Sequence, residues 1–378
     1  MRDFIPARIQ ALSAYTPSDT VYRIRLDANE CPFNASDTLR AEFARALTTI
    51  DFNRYPDPMA ASLIKTFAER YQTCPSYVVA GNGSDELIGL LFMTLTNPGD
   101  KVLIMSPDFS MYAFYAELYG CEIIPYQKYP DTSIDFAEAA ALANKKGCVL
   151  TILSNPCNPT GRVYRRDELI SFVGALNGLA VIDEAYMEFT AGTDCSVLSS
   201  AGERDNLIVL KTLSKAYGMA ALRVGFLIST SEIAEAIRKV KSPYNLNAVS
   251  QALAQIALLH TDEAADRAAR LGKRAKALRD ELDRLGKVSR RFNALPTDAN
   301  LVYLRTADPE SASLLFEGLK QQSIIIRRTG PDCLRITCGT DEENAALLNA
   351  ITEILASCGD APDYTPKNDP DRERKECQ

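Results

Sequence analysis

The chain has 378 residues, 46% of them hydrophobic and 24% charged, with a formal net charge of −7. That length suits one large domain plus a smaller one, and the acidic balance argues against a general nucleic-acid surface, though not against a local basic pocket for a small anion. Ten cysteines with no C-x-x-C pair and a single histidine argue against a metal site; there is no signal-peptide core, and no apolar run reaches the ~20 residues of a membrane helix, so the expected setting is the cytoplasm.

In chain order, residues 1–35 read as an irregular segment packing on the smaller domain. Short apolar runs follow at 77–80, 101–105, 121–125, 148–153, 179–182, 207–210 and 224–228. Helical patterns such as 84–95 and 166–176 lie between them, and Asn97 to Asp100 is a turn. Strands alternating with helices predict an α/β domain over 36–245, with a mostly parallel seven-stranded sheet flanked by helices. After about residue 245 the texture changes. Leu271, Ala275, Leu278, Leu282 and Leu285 recur at helical spacing with Gly286 as a stop, and strand-like runs follow at 300–304, 323–327 and 333–337. This predicts a smaller α+β domain over 246–360. The polar, charged residues 361–378 read as a loose tail.

Catalysis by a histidine base would have to use His260, which ends an apolar helical run and reads as a helix-end residue. Acid–base chemistry therefore falls to another group. Lys215 lies in a hydroxyl-bearing loop, after a strand-like run and before Arg223. A lysine that forms a Schiff base needs a place to lose its proton, and Thr212, Ser214 and Arg223 make a phosphate grip. The plainer reading is a surface lysine. Asp183 ends an apolar strand, where it points into the crevice of a parallel sheet and can keep a pyridinium nitrogen protonated. A helix-capping aspartate or a magnesium ligand fits as well. Asn158 sits in a loop with two Asn-Pro steps and can donate to a phenolate oxygen, or the loop is simply a proline-rich turn. Around Gly81 and Gly83, the N–H groups of Ser84 and Asp85 open a helix toward an anion, unless Ser84 is an ordinary N-cap.

Asn158, Asp183, Lys215 and Arg223, in this order and in these motifs, resemble the fold-type-I pyridoxal-phosphate aminotransferases and, within them, the histidinol-phosphate aminotransferase family. The likeness runs from residues 26–30 through 53–56 to 334–337 with Gly339 and Thr340, nearly the whole chain apart from the tail.

The resemblance implies that Lys215 holds pyridoxal 5'-phosphate and shuttles the substrate proton, and that Asp183 pairs with the pyridine nitrogen. It implies that Asn158 and Tyr186 contact the ring oxygen, that Phe109 stacks on the ring where many members carry tyrosine, and that Ser84, Asp85, Thr212, Ser214 and Arg223 cup the phosphate. Tyr55 would reach the neighbouring subunit's cofactor phosphate, implying a homodimer with shared sites. Arg335 and Arg327 would bind the substrate's anionic end, two arginines suiting a dianion better than one carboxylate. Asn29 would line the pocket. The implied reaction is a ping-pong transamination between an amino acid, a 2-oxo acid such as 2-oxoglutarate and a phosphate ester. An aromatic amino-acid aminotransferase and a threonine-phosphate decarboxylase share nearly all these motifs. A cofactor-binding transcription regulator would need an added DNA-binding domain, for which residues 1–35 leave no room.

Overall fold

The computed structural model describes residues 4–12, 20–190 and 194–358; the tail expected at 361–378 lies outside them. Contacts divide the described chain into two compact units, one of residues 4–12, 34–158 and 162–268, the other of 20–33, 159–161 and 269–358.

The first unit is built on seven strands: β1 (Val78–Gly81), β2 (Lys101–Ser106), β3 (Glu122–Gln127), β4 (Cys148–Ser154), β5 (Leu179–Asp183), β6 (Leu207–Thr212) and β7 (Gly225–Ile228). They lie in the order β1-β7-β6-β5-β4-β2-β3. β7 runs antiparallel to both its neighbours, and the remaining pairs are parallel. The expected α/β architecture is present. The apolar runs of the central strands are continuous because both faces of the sheet are buried there, whereas the edge strand β3 alternates buried and exposed residues. Ile182, Val209 and Phe226 point into one core with Leu63 and Phe67 of helix Ala61–Tyr71 and Leu169 of helix Arg166–Ala175. Val181, Ile208 and Leu227 point into the other, with Leu87, Ile88 and Leu91 of helix Ser84–Leu95. Alternate residues of one strand thus feed opposite cores.

The second unit carries a five-stranded sheet in the order Ile24–Leu26, Ile324–Gly330, Cys333–Thr337, Leu301–Thr306, Phe292–Ala294. Only the first pair is parallel. Leu278, Leu282 and Leu285, together with Leu315, Ile351 and Leu355 from helices Pro309–Gln321 and Asp341–Ser357, pack with this sheet.

Four features differ from the sequence reading. Residues 4–12, read within the segment that packs on the smaller domain, belong to the first unit, where helix Ala7–Gln10 contacts helix Met111–Leu118. Gly286 does not stop its helix, which runs from Thr261 to Ser289 and ends before Arg290 at φ +59°. Gly286 instead sits where the helix backs onto the Phe292 carbonyl, and a Cβ there would overlap it. Helix Ala248–Leu259, read as part of the smaller domain, packs on helices Asp37–Leu47 and Ala61–Tyr71 in the first unit. Strands Ile24–Leu26 and Phe292–Ala294, three residues each, are too short to show an alternation. No helix among the described residues is long and apolar enough to cross a membrane.

Candidate active site

One end of the seven-stranded sheet collects most of the predicted site residues of the first unit. The parallel strands end there, and the antiparallel β7 begins there, so residues far apart in sequence share a rim. Ser84 and Asp85 follow β1, Phe109 follows β2, Asn158 follows β4, Asp183 ends β5, Thr212 ends β6, Ser214 and Lys215 come next, and Arg223 precedes β7.

Asp183 is 3% exposed. Its Oδ2 accepts from the Tyr112 hydroxyl at 2.8 Å and its Oδ1 from the Ala185 N–H at 3.1 Å. Among the described residues the carboxylate forms no ion pair. Burial pushes its pKa up to about 7, against the two hydrogen bonds that favour the charged form, with Asp108 and Asp85 adding repulsion. A buried carboxylate with two donors and spare lone pairs complements a protonated ring nitrogen.

The helix after β1 opens without a side-chain cap. Its N-cap is Gly83 at φ +83°, not Ser84, and among the described residues no side chain caps its first amides. A Cβ on Gly83 would come within 2.6 Å of Arg223 Nη2. Arg223 meets the Asp85 carboxylate at 3.1 Å. Thr212 Oγ1 donates to Ser214 Oγ at 3.0 Å and accepts from the Ser214 N–H at 3.1 Å. Open amides, hydroxyls and a guanidinium fit a phosphate.

Lys215 is half-buried, with Nζ 5.8 Å from the centroid of the Tyr186 ring. Asn158 is 6% exposed, its N–H donating to Ser154 Oγ at 3.0 Å, and that hydroxyl in turn donates to Asp108. Phe109 is half-buried and meets Tyr112 edge-on at 5.5 Å. His260 closes helix Ala248–Leu259, 3.0 Å from Glu42, as a helix-end residue does.

Sequence reasoning missed three groups. Tyr112 contacts both Asp183 and Phe109; its place three residues after Phe109, at the start of helix Met111–Leu118, was the available signal. Lys128, just past the edge strand β3, is wholly buried and bonds Pro107 O at 2.8 Å, Asp108 Oδ2 at 3.1 Å and Cys157 Sγ at 3.0 Å. Burial works against its charge, but Asp108 outweighs it, so its pKa stands well above the usual lysine value. Lys211, within β6, lies 2.8 Å from Glu188 and 3.5 Å from Glu184. Nothing local in the sequence marks Lys128 or Lys211, since a lysine's default place is the surface.

Tyr55 is 81% exposed, its ring stacked on Tyr244 at 4.6 Å. The other predicted residues lie in the second unit. Arg327 and Arg335 are cross-strand partners. Arg335 is 8% exposed and donates to the Asp27 carbonyl. Asn29 is fully buried at φ +52°, its N–H and side-chain oxygen both on Thr337 Oγ1 and its carbonyl accepting from Asn300.

A histidinol-phosphate aminotransferase of Thermoanaerobacter sp. (strain X514) is 33% identical over 360 residues, 94% of this chain and 99% of that protein. One from Chromobacterium violaceum is 35% identical over 362 residues, again 94% of this chain and 99% of the relative. In fold, the chain is similar to the crystal structure of histidinol-phosphate aminotransferase from Sinorhizobium meliloti in complex with pyridoxal-5'-phosphate, with a TM-score of 0.86 at 24% identity over 95% of this chain and 99% of that one. The family model for aminotransferase class I and II matches residues 23–351, and with these relatives it establishes that the chain belongs to the class I and II aminotransferases.

Proposed function

We propose that the chain is a pyridoxal-phosphate-dependent aminotransferase that exchanges an amino group between histidinol phosphate and 2-oxoglutarate in histidine biosynthesis. The observation that carries the phosphate ester is the direct pairing of Arg327 with Arg335. Like charges opposite one another on a sheet are unfavourable, and a bound dianion converts that cost into a pair of charge-assisted hydrogen bonds. The names of the relatives that match nearly the whole chain point the same way.

Pyridoxal phosphate, when bound, supplies an electron sink for the pair left on the substrate α-carbon after proton loss. Asp183 keeps a proton on the ring nitrogen, Asn158 and Tyr186 hold the ring oxygen, and Phe109 covers the ring. The amides of Ser84 and Asp85 with Thr212, Ser214 and Arg223 hold the phosphate. Lys215 is the covalent tether and then carries the proton at the substrate α-carbon. Arg335 and Arg327 bind the anionic ends of both substrates in turn. Asn29, buried against Thr337, shapes the pocket wall.

The same reading makes the enzyme a cytoplasmic homodimer in which Tyr55 completes the partner's phosphate site. Phe52, Tyr55, Met59 and Tyr244 leave large apolar surface exposed on the first unit, as an interface would. The cysteines among the described residues are all free, in keeping with a reducing compartment.

The test is a half-reaction followed in the visible spectrum of the purified, cofactor-loaded chain. Histidinol phosphate should bleach the band at micromolar concentration where phenylalanine does not. Equal bleaching by phenylalanine would favour an aromatic aminotransferase. Carbon dioxide release from threonine phosphate would favour a decarboxylase. A chain that shows no visible band with added pyridoxal phosphate would overturn the cofactor assignment itself.

A further inference from the structure

The side chain that touches Asp183 is Tyr112, fully buried in the first turn of helix Met111–Leu118. A buried phenol wants one partner for its O–H, and here the partner is a carboxylate oxygen at 2.8 Å. The same ring meets Phe109 edge-on at an interplanar angle of 89°. One residue thus supports two groups assigned to the cofactor, one at the edge of its ring and one on its face. We propose that Tyr112 is a positioning residue for the cofactor, holding the Asp183 carboxylate ionised and aimed at the ring nitrogen while it seats Phe109. This inference rests on the cofactor reading above.

Donation from Tyr112 stabilises the charged form of Asp183 and opposes burial. Other charged and titratable groups surround the carboxylate. Asp108, after β2, is met by Lys128 at 3.1 Å. Asp85, at the start of helix Ser84–Leu95, is met by Arg223 at 3.1 Å. Cys157, after β4, contacts Lys128 at 3.0 Å, and Lys215 lies in the loop after β6. Asp108 and Asp85 repel a charge on Asp183, but each has its own cation. Tyr112 is the side chain that donates directly to the carboxylate.

The experiment compares pyridoxal-phosphate binding by the full-length wild-type, Tyr112→Phe and Asp183→Asn chains, stripped of cofactor and titrated from pH 5 to pH 9. Affinity in the wild type falls on the acid side as Asp183 takes up its proton. In Tyr112→Phe the carboxylate loses a donor and protonates more readily, so the acid limb moves up by about one pH unit and affinity at pH 6 drops about tenfold. In Asp183→Asn the limb disappears. A Tyr112→Phe limb that superimposes on the wild type would overturn the inference, and so would a limb that survives in Asp183→Asn. Absence of saturable binding by the wild type at any pH would sink the cofactor reading instead, which keeps the two failures apart.

Discussion

Arg327 faces Arg335 directly across the antiparallel ladder of Ile324–Gly330 and Cys333–Thr337, so both side chains leave the same face of the five-stranded sheet. Such a pair costs stability and suits a dianion. Arg327→Gln should therefore leave the fold unchanged or stabilise it by about 0.2–1 kcal/mol, from the relief of like-charge opposition. The same change should raise KM for histidinol phosphate by about tenfold or more, the loss of about 1.5–3 kcal/mol for a charge-assisted hydrogen bond. Urea melts and steady-state kinetics check the two halves. A substitution that lowers stability and leaves KM alone would assign Arg327 to the scaffold.

Lys215 has the simplest expectation. Lys215→Ala should fold with an unchanged urea midpoint, bind pyridoxal phosphate without forming the visible band of the wild type, and show no turnover above background. Retention of wild-type rates would remove Lys215 from the chemistry.

Asp183 carries a pH dependence whose sign differs from that of a surface carboxylate. Unfolded, the carboxyl titrates at about 4. Folded and free of cofactor, it titrates at about 7. Between these values the folded chain holds a proton that the unfolded chain has released. Its contribution to stability therefore falls as pH rises, by at most about 1.4 kcal/mol per pH unit, and levels off above about 7. Asp183→Asn removes the titration at nearly constant volume. The cofactor-free variant should match the wild type near pH 5 and exceed it by about 1–3 kcal/mol at pH 8 in urea unfolding, while losing activity. Parallel stability–pH curves for the two proteins would contradict the burial argument.

Lys128 and Asp108, both fully buried and 3.1 Å apart, are sensitive to removal of one partner. Lys128→Met leaves Asp108 without its cation and should cost about 3–5 kcal/mol of stability. Pairing it with Asp108→Asn should recover much of that loss, since two neutral side chains replace a broken ion pair. A double variant no more stable than Lys128→Met would show that the lysine acts through packing and its bonds to Pro107 and Cys157 instead.

Much of the frame is legible in the amino-acid sequence. Apolar runs bounded by turns located all seven strands of the large sheet, because a sheet buried on both faces demands unbroken hydrophobic segments. Asp183, Lys215 and Asn158 stood out because each follows such a run, where a parallel sheet opens its crevice. The helix through Gly286 was misread because glycine has two uses, freeing the backbone and admitting a close neighbour; the carbonyl of Phe292 decides between them.

What the sequence determined by itself was the order of strands along the chain and the type of residue at each strand end, both properties of local pattern. What only tertiary structure decided was which distant groups meet. Tyr112 and Asp183 are 71 residues apart and 2.8 Å from one another. Lys128 reaches Asp108 and Cys157 from just past an edge strand. Lys211 is buried against Glu184 and Glu188. A hydrogen bond or ion pair between such residues depends on strand order and register in three dimensions, and neither leaves a periodicity in the sequence.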